Sequence, residues 1–240
     1  MEEANSYELN EAKQIELATS IGPLWADFSK SWNRYSSRNS FYCLSDGAVY
    51  YSMLRAFQPK RIIEVGSGFS SAVALDARDK GLHDAELTFI EPYPQRLLGL
   101  LEEKDHARTT LHKKPLQDVP LEEFDVLGEG DFLFVDSTHV SKAGSDVNWL
   151  FFQVFPRLKP GVIIHIHDIH FPFEYIDSWL NEGRSWNELY MLRAFLSFNN
   201  SFEILFFNSW MWEKHPEIVR QFLPEASSDR PGSIWLRRTA

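Results

Sequence analysis

Four short runs of consecutive apolar residues lie in the middle of the chain. They are RIIEV (61–65), ELTFI (86–90), DFLFV (131–135) and GVIIHI (161–166), and helix-like segments separate them. Continuous rather than alternating apolarity is typical of strands covered on both faces, and helical connections favour parallel pairing. The pattern therefore predicts a doubly wound α/β sheet.

Weaker apolar patterns predict additional strands for this sheet and helices N-terminal to it. Further strands are predicted at 108–113, 201–207 and 232–238. Apolar residues at helical spacing over 10–30 predict a first helix, and a second is expected to begin with Ser45 or Asp46 as its N-cap and to stop before Pro59. The N-terminal part of the chain is therefore expected to be helical.

No internal repeat, low-complexity tract or Gly/Ser linker divides the chain of 240 residues. We therefore predict an N-terminal helical cap over 1–44 and one globular domain over 45–240. With 44% hydrophobic residues, a chain of this length is long enough to bury a large core.

Charge and cysteine content narrow the classes of function. The formal net charge of -10 argues against a nucleic-acid or anionic-membrane surface, because both need clustered cations. Cys43 is the only cysteine, which excludes an intrachain disulfide and a multi-thiolate zinc site. The first twenty residues contain acids where a signal peptide needs cations, and they have no apolar core. We expect a soluble, unprocessed cytoplasmic protein whose partner is a small substrate or another protein.

A glycine-containing turn follows the first predicted strand. In RIIEVGSGFSS the strand leads into Gly66, Ser67 and Gly68, and a predicted helix follows. Glycines allow positive φ and close approach of a nucleotide to the backbone. Ser71 stands where a dinucleotide fingerprint has its third glycine, while Glu91 ends the next strand, where an acid can accept both ribose hydroxyls. The order of these features predicts a nucleotide-like cofactor.

The decapeptide IIHIHDIHFP (163–172) places three histidines and an aspartate at the end of a predicted buried strand. His165 and His167 are two residues apart and are expected on the same face of the sheet. For His165 we expect a hydrogen-bonded core position or one that supports a ligand. His170 follows in a loop, where it either faces a substrate or is solvated.

The glycine turn with Glu64 in EVGSG resembles the first motif of class I S-adenosylmethionine-dependent methyltransferases. FIEPYP (89–94), DFLFVDSTH (131–139) and LKPGVIIHIHD (158–168) resemble later motifs of this family. The resemblance spans 45–240 and implies a seven-stranded sheet in which GSIWLRR (232–238) is the antiparallel last strand.

The chain is also similar to metal-dependent O-methyltransferases such as catechol and macrolide-sugar O-methyltransferases. This similarity implies that Asp136, His167 and Asp168 hold a divalent cation and that His139 is the general base. His167 stands where those relatives carry a carboxylate or an amide. Two carboxylates and an imidazole accept Mg²⁺, Mn²⁺, Fe²⁺ or Zn²⁺, and the imidazole favours a transition metal.

The resemblance also implies the contacts of S-adenosylmethionine. The candidate residues for this cofactor are Glu64, Gly66, Ser67, Gly68, Ser70, Ser71, Glu91, Gln117, Asp118 and Asp136. The aromatic candidates for a wall of the acceptor pocket are Tyr35, Tyr42, Trp186 and Trp210. Core packing and a homodimer contact are the alternative uses of these aromatic side chains.

Three other functions remain open from the sequence. A metal-independent O- or N-methyltransferase would use His139 or His167 alone as its base. An NAD-linked oxidoreductase is disfavoured by the missing third glycine, and a non-catalytic nucleotide-binding protein is disfavoured by the intact motif residues. We predict metal-assisted O-methylation of a hydroxyl on a small metabolite or sugar.

Overall fold

A computed structural model describes residues 7–28 and 32–240. The strands are β1 (Arg61–Val65), β2 (Glu86–Ile90), β3 (Thr109–His112), β4 (Phe132–Val135), β5 (Ile163–His167), β6 (Phe202–Phe207) and β7 (Ser233–Arg238). They form one seven-stranded sheet in the order β3-β2-β1-β4-β5-β7-β6. The predicted sheet is confirmed, and its strands begin and end within two residues of the predicted bounds.

The helices of the described residues cover both faces of this sheet. They are α1 (Glu11–Phe28), α2 (Leu44–Phe57), α3 (Phe69–Asp79), α4 (Gln95–Leu98), α5 (Glu103–His106), α6 (Asp146–Trp149), α7 (Asp177–Asn181), α8 (Glu188–Ser197), α9 (Asn208–Lys214) and α10 (Pro216–Phe222). A π-helical stretch, Leu150–Val154, continues α6. None of the described helices is both long and apolar enough to cross a membrane.

Parallel pairing joins the first five strands, as the continuous apolar runs predicted. β1 pairs with β2 and β4, and β4 pairs with β5, all parallel. β7 lies antiparallel between β5 and β6. Since the carboxyl ends of β1, β2, β4 and β5 meet at one edge, residues far apart in sequence come together there.

The start of α2 differs from the prediction. The helix begins at Leu44, and Cys43 occupies the capping position without a side-chain cap. The Asp46 carboxylate is buried and instead accepts hydrogen bonds from Asn208 Nδ2 and Ser233 Oγ at 2.8 and 2.6 Å. The predicted cap role is therefore wrong, because tertiary partners on α9 and β7 take this carboxylate.

The predicted helical cap contains α1, which packs against α2, β6 and α10. Trp25 on α1 is fully buried, with its ring 5.5 Å from that of Trp212 on α9. Residues 1–6 and 29–31 of this predicted cap lie outside the described part of the chain. The division at residue 44 stays a prediction.

Candidate active site

The turn after β1 is shaped by packing as well as by glycine. Gly66 has a φ of +78°, and a Cβ atom there would lie 2.0 Å from the backbone oxygen of Asp136. Gly66 is therefore required by the close approach of the β4 end. Gly68 has a φ of -177°, which is extended backbone that any residue adopts, so only Gly66 uses the positive φ that glycine allows.

A buried carboxylate supports this turn from below. Glu64 Oε1 accepts hydrogen bonds from Ser70 Oγ and Ser71 Oγ at 2.7 and 2.6 Å. Ser71 Oγ also accepts from the Gly68 amide. Burial raises the pKa of Glu64 to about 8, although both hydroxyl bonds lower it. The serine in place of the third glycine thus ties α3 to β1, and the contact of these hydroxyls with a cofactor stays a prediction.

A cleft of about 640 Å³ lies beside the turn. Gly66, Glu91, Gln117 and Asp136 are among the residues that line it. Glu91 accepts from the backbone amides of Ser67 and Tyr93 at 3.1 and 2.7 Å. The size and concave shape of this cleft suit a nucleotide-sized ligand.

The other cofactor candidates differ in position. Gln117 donates its side-chain amide to the Gly144 backbone oxygen at 2.8 Å. Asp118 is exposed and is not among the residues that line the cleft. Ser67 is buried, and its hydroxyl has no hydrogen-bond partner among the described residues.

Three side chains converge where β4 and β5 end. His139 Nε2 lies 3.4 Å from Asp136 Oδ1 and 3.3 Å from Asp168 Oδ2. The three ligand atoms all lie within 4.8 Å of one another. Asp136 lines the 640 Å³ cleft, whereas Asp168 lines a separate cavity of about 230 Å³ together with His167. The cluster therefore stands between two cavities.

Two members of this cluster have an unusual backbone. The φ angles of His139 and Asp168 are +60° and +58°, in the left-handed region that costs non-glycine residues about 1–3 kcal/mol. Such conformations persist only where the surroundings hold them, and they concentrate at functional sites.

The charged side chains of the cluster shift one another's pKa values. Burial works against a charged His139 imidazole, but the hydrogen bonds that this ring donates to Asp136 and Glu188 raise its pKa well above the usual value. Desolvation raises the pKa of Asp168, although His167 and His139 act in the opposite direction. For Asp136, desolvation is outweighed by His139 and His167, which lower its pKa.

His167 lies next to the cluster rather than within it. Its Nε2 atom is 3.5 Å from Asp168 Oδ1 and 3.4 Å from the Phe41 backbone oxygen, and its ring lies 5.0 Å from that of Tyr42. The predicted ligand set was Asp136, His167 and Asp168. The converging set has His139 in place of His167.

The other two histidines of the decapeptide 163–172 are buried. His165 stacks on Phe134 with ring centroids 4.0 Å apart, and neither ring nitrogen has a hydrogen-bond partner among the described residues. The expectation of a hydrogen-bonded His165 is therefore wrong, although it shares a face with His167, 5.8 Å away. His170 is 7% exposed, so it is not solvated, and burial lowers its pKa to about 4.

The aromatic candidates divide into two groups. Tyr42 lines the 230 Å³ cavity, and the Trp186 ring lies 4.3 Å from that of His139. Tyr35 and Trp210 are buried in the core. Of the first pair, Tyr42 therefore borders a cavity beside the cluster, whereas Trp186 packs on the His139 ring.

Sequence reasoning missed Glu188. This fully buried residue begins α8, and its carboxylate lies 2.9 Å from His139 Nδ1. An acid in the first turn of a helix was the only local signal, and such acids are common because they interact favourably with the helix dipole.

Part of the chain is similar to a known protein family. Residues 63–169 match a family described as a methyltransferase domain. This match covers less than half of the chain. The strand order with the antiparallel β7 is the seven-stranded methyltransferase fold that the sequence motifs predicted.

A protein of uncharacterised function from Archaeoglobus fulgidus is 37% identical over 98 residues. These residues are 40% of this chain and 43% of that protein, so the chain spans less than half the length of this relative.

Solved structures of two methyltransferases are similar to this chain. TomG of Streptomyces achromogenes, an O-methyltransferase of tomaymycin synthesis solved with SAM, has a TM-score of 0.54 and 14% identity, over 93% of this chain and 90% of that chain. The methyltransferase PaMTH1 of Podospora anserina, solved with SAH, has a TM-score of 0.48 and 21% identity, over 93% and 88%. The likeness to TomG shows the fold.

Proposed function

We propose that this methyltransferase transfers a methyl group from S-adenosylmethionine to a hydroxyl of a small molecule, assisted by a divalent cation. One observation carries the proposal. Asp136, His139 and Asp168 converge between two cavities, one beside the glycine turn and one beside His167. A donor on one side and an acceptor on the other would meet at this cluster in line, as methyl transfer requires.

The 640 Å³ cleft is the proposed cofactor site. Glu91 is placed at the end of β2, where a carboxylate can accept the ribose hydroxyls. Gly66 keeps the floor of the cleft free of side chain. TomG, which shares this fold, was solved with S-adenosylmethionine.

The residues of the cluster fit a divalent cation. Separations of 3.3 and 3.4 Å between Nε2 and the carboxylate oxygens are those expected of neighbouring ligands with bond lengths of about 2.0–2.4 Å. Two carboxylates and one imidazole suit Mn²⁺, Fe²⁺ or Zn²⁺ as well as Mg²⁺. When bound there, such a cation would lower the pKa of a coordinated acceptor hydroxyl.

In this proposal the chain's own residues position the reactants. Asp136 and Asp168 supply negative charge on the donor side and the acceptor side, and His139 lies between them. The 230 Å³ cavity, lined by His167, Tyr42 and Trp179, bounds the acceptor. Its small volume favours a small molecule over a polymer.

A second candidate function needs no cation. The 2.9 Å contact between Glu188 and His139 Nδ1 leaves Nε2 as the nitrogen that faces the cluster. In that case His139 Nε2 takes the acceptor proton, as the sequence suggested, and Glu188 stabilises the imidazolium. Both oxygen and nitrogen acceptors are then compatible.

Thermal-shift titration tests these alternatives, because a ligand that binds the native state raises its melting temperature. We expect S-adenosylhomocysteine and Mn²⁺ to raise the melting temperature, NAD to leave it unchanged, and a chelator to abolish methyl transfer. An Asp136→Asn variant should lose the Mn²⁺ shift. A shift by NAD but not by S-adenosylhomocysteine would overturn the proposal, whereas transfer that survives the chelator selects the second candidate.

A further inference from the structure

Glu188 is a buried carboxylate with an unusual set of partners. Its Oε2 atom accepts a hydrogen bond from Ser137 Oγ at 2.8 Å and contacts His139 Nδ1 at 2.9 Å. The other oxygen, Oε1, is buried and has no hydrogen-bond partner among the described residues. Burying a carboxylate is costly unless its charge is compensated. The negative charge of Glu188 is compensated chiefly by His139, so the two side chains form one hydrogen-bonded pair.

The chain around Glu188 also holds His139 by its backbone. The amides of Asn187 and Glu188 donate to the His139 backbone oxygen at 3.0 and 3.2 Å. The Trp186 ring packs against the imidazole, with centroids 4.3 Å apart. Three consecutive residues thus secure a histidine whose own backbone is in the left-handed region.

This arrangement determines which ring nitrogen faces the two aspartates. A carboxylate beside Nδ1 favours a proton on Nδ1, because the carboxylate can only accept. The lone pair of a neutral His139 ring is then on Nε2, which points towards Asp136 and Asp168. In metal sites a carboxylate that holds the outer nitrogen of a histidine sets its tautomer and its orientation.

We propose that Glu188 is a positioning residue that holds His139 in the Nδ1–H tautomer, with Nε2 available as a cation ligand beside Asp136 and Asp168. The inference rests on the proposed function, since it presupposes a cation at this cluster. It goes beyond that function by adding Glu188, a residue that touches neither substrate nor cofactor and acts through His139.

The test is the Mn²⁺ affinity of the full chain, measured by calorimetry, for the wild type and Glu188→Gln. Glutamine retains the shape of the side chain but loses the charge, and its amide can donate to Nδ1 and so favour the wrong tautomer. We expect Mn²⁺ to bind about 10–100-fold more weakly, with S-adenosylhomocysteine affinity unchanged. Binding as tight as in the wild type would overturn the inference.

Asp105→Asn is the matched control. Asp105 is equally buried, and its carboxylate also accepts from cationic partners, Arg34 Nη2 at 3.0 Å and Arg78 Nη2 at 2.7 Å, but it lies on α5 rather than at the β4–β5 end. Its replacement should change Mn²⁺ affinity by less than about threefold. Equal losses in both variants would mean that general destabilisation is the cause, and the inference would fail.

Asp136→Asn separates this inference from the proposed function. If Asp136→Asn weakens Mn²⁺ binding and Glu188→Gln does not, the cation site stands and only the positioning role is lost. If the wild type binds no Mn²⁺, or if Asp136→Asn binds it normally, both proposals fail.

A measurement on the wild type covers the case in which Glu188→Gln does not fold. In the Mg²⁺-loaded protein, two-bond ¹H–¹⁵N spectra report which imidazole nitrogen of His139 carries the proton. We expect a proton on Nδ1 and none on Nε2. The opposite tautomer would overturn the inference.

Discussion

Acidic residues lie at the edge of the sheet where the carboxyl ends of β1, β2, β4 and β5 meet. Those beside β1 and β2 differ from those beside β4 and β5 in what they contact. At the β1–β2 end, Glu64 accepts from two serine hydroxyls and Glu91 accepts from two backbone amides at hydrogen-bond distance. At the β4–β5 end, Asp136 and Asp168 face His139 Nε2 at 3.4 and 3.3 Å, beyond the usual length of a strong charge-assisted hydrogen bond.

This difference separates acids with a structural role, at the β1–β2 end, from acids that are placed for chemistry, at the β4–β5 end. The acids of the β1–β2 end accept hydrogen bonds from the protein itself and shape the turn beside the cleft, although Glu64 Oε2 has no partner among the described residues. The acids of the β4–β5 end gather negative charge around one imidazole that is too far away to satisfy either closely. Charge arranged in this way is typical of a site that is completed by a ligand.

The largest expected effect is on the β4–β5 end. Asp168→Asn keeps a side chain that tolerates positive φ but removes one charge from the cluster. We expect the methyl-transfer rate to fall about 1000-fold, or about 4 kcal/mol in barrier, because the proposed cation loses a ligand. The affinity for S-adenosylhomocysteine, measured by calorimetry, should stay within about threefold.

Asp84→Asn, at an exposed position before β2, is the control for loss of one negative charge. It should retain the wild-type rate. An Asp168→Asn enzyme that turns over normally would contradict the distinction between the two ends.

The second largest effect is expected on the free energy of unfolding, through Glu64 at the β1–β2 end. The pKa of Glu64 is about 8 in the folded chain, above the usual value of about 4.3 for an unfolded chain. The folded state therefore binds more protons between these values, and this group makes the wild type less stable as pH rises from about 4.5 to 8. Glu64→Gln lacks this dependence.

Urea unfolding of both proteins at pH 5 and pH 9 measures the effect. Relative to the wild type, the variant should gain on the order of 3 kcal/mol between the two pH values. Other titrating groups cancel in this difference. A constant difference between variant and wild type would show that Glu64 is ionised in both states.

The smallest effect is on the cofactor cleft. Glu91→Ala removes the carboxylate that holds the Ser67 and Tyr93 amides and that would bind the ribose. We expect S-adenosylhomocysteine to bind about 10-fold more weakly, or about 1.4 kcal/mol, by calorimetry. Glu86→Ala, at the exposed start of the same strand, should bind normally. Equal affinities of all three proteins would remove Glu91 from the proposed cofactor site.

Much of the fold was predictable because strands buried on both faces need continuous apolar runs. The runs at 61–65 and 86–90 coincide with β1 and β2, and the weak signal at 108–113 contains β3. The start of α2 was mispredicted because Ser45 and Asp46 have the chemistry of caps. Their actual partners lie on segments more than 160 residues away, and local chemistry carries no information about such contacts.

The site was predictable to the extent that it depends on strand ends. The resemblance to metal-dependent O-methyltransferases implied Asp136, His139 and Asp168, and parallel strands bring the carboxyl ends that carry these residues to one edge. The place of His139 rather than His167 between the aspartates was not predictable. It depends on the left-handed turns at His139 and Asp168, and on α8 packing over them.

The sequence by itself determined the layers of this protein and which strand ends carry polar groups, because both follow from the order of apolar and polar residues along the chain. Only the tertiary structure decided which of these groups meet. Glu188 is 49 residues from His139, yet their side chains lie 2.9 Å apart. Hydrogen bonds act over a few ångströms in space whatever the separation along the chain, so the pairing becomes visible only when the helices are packed on the sheet.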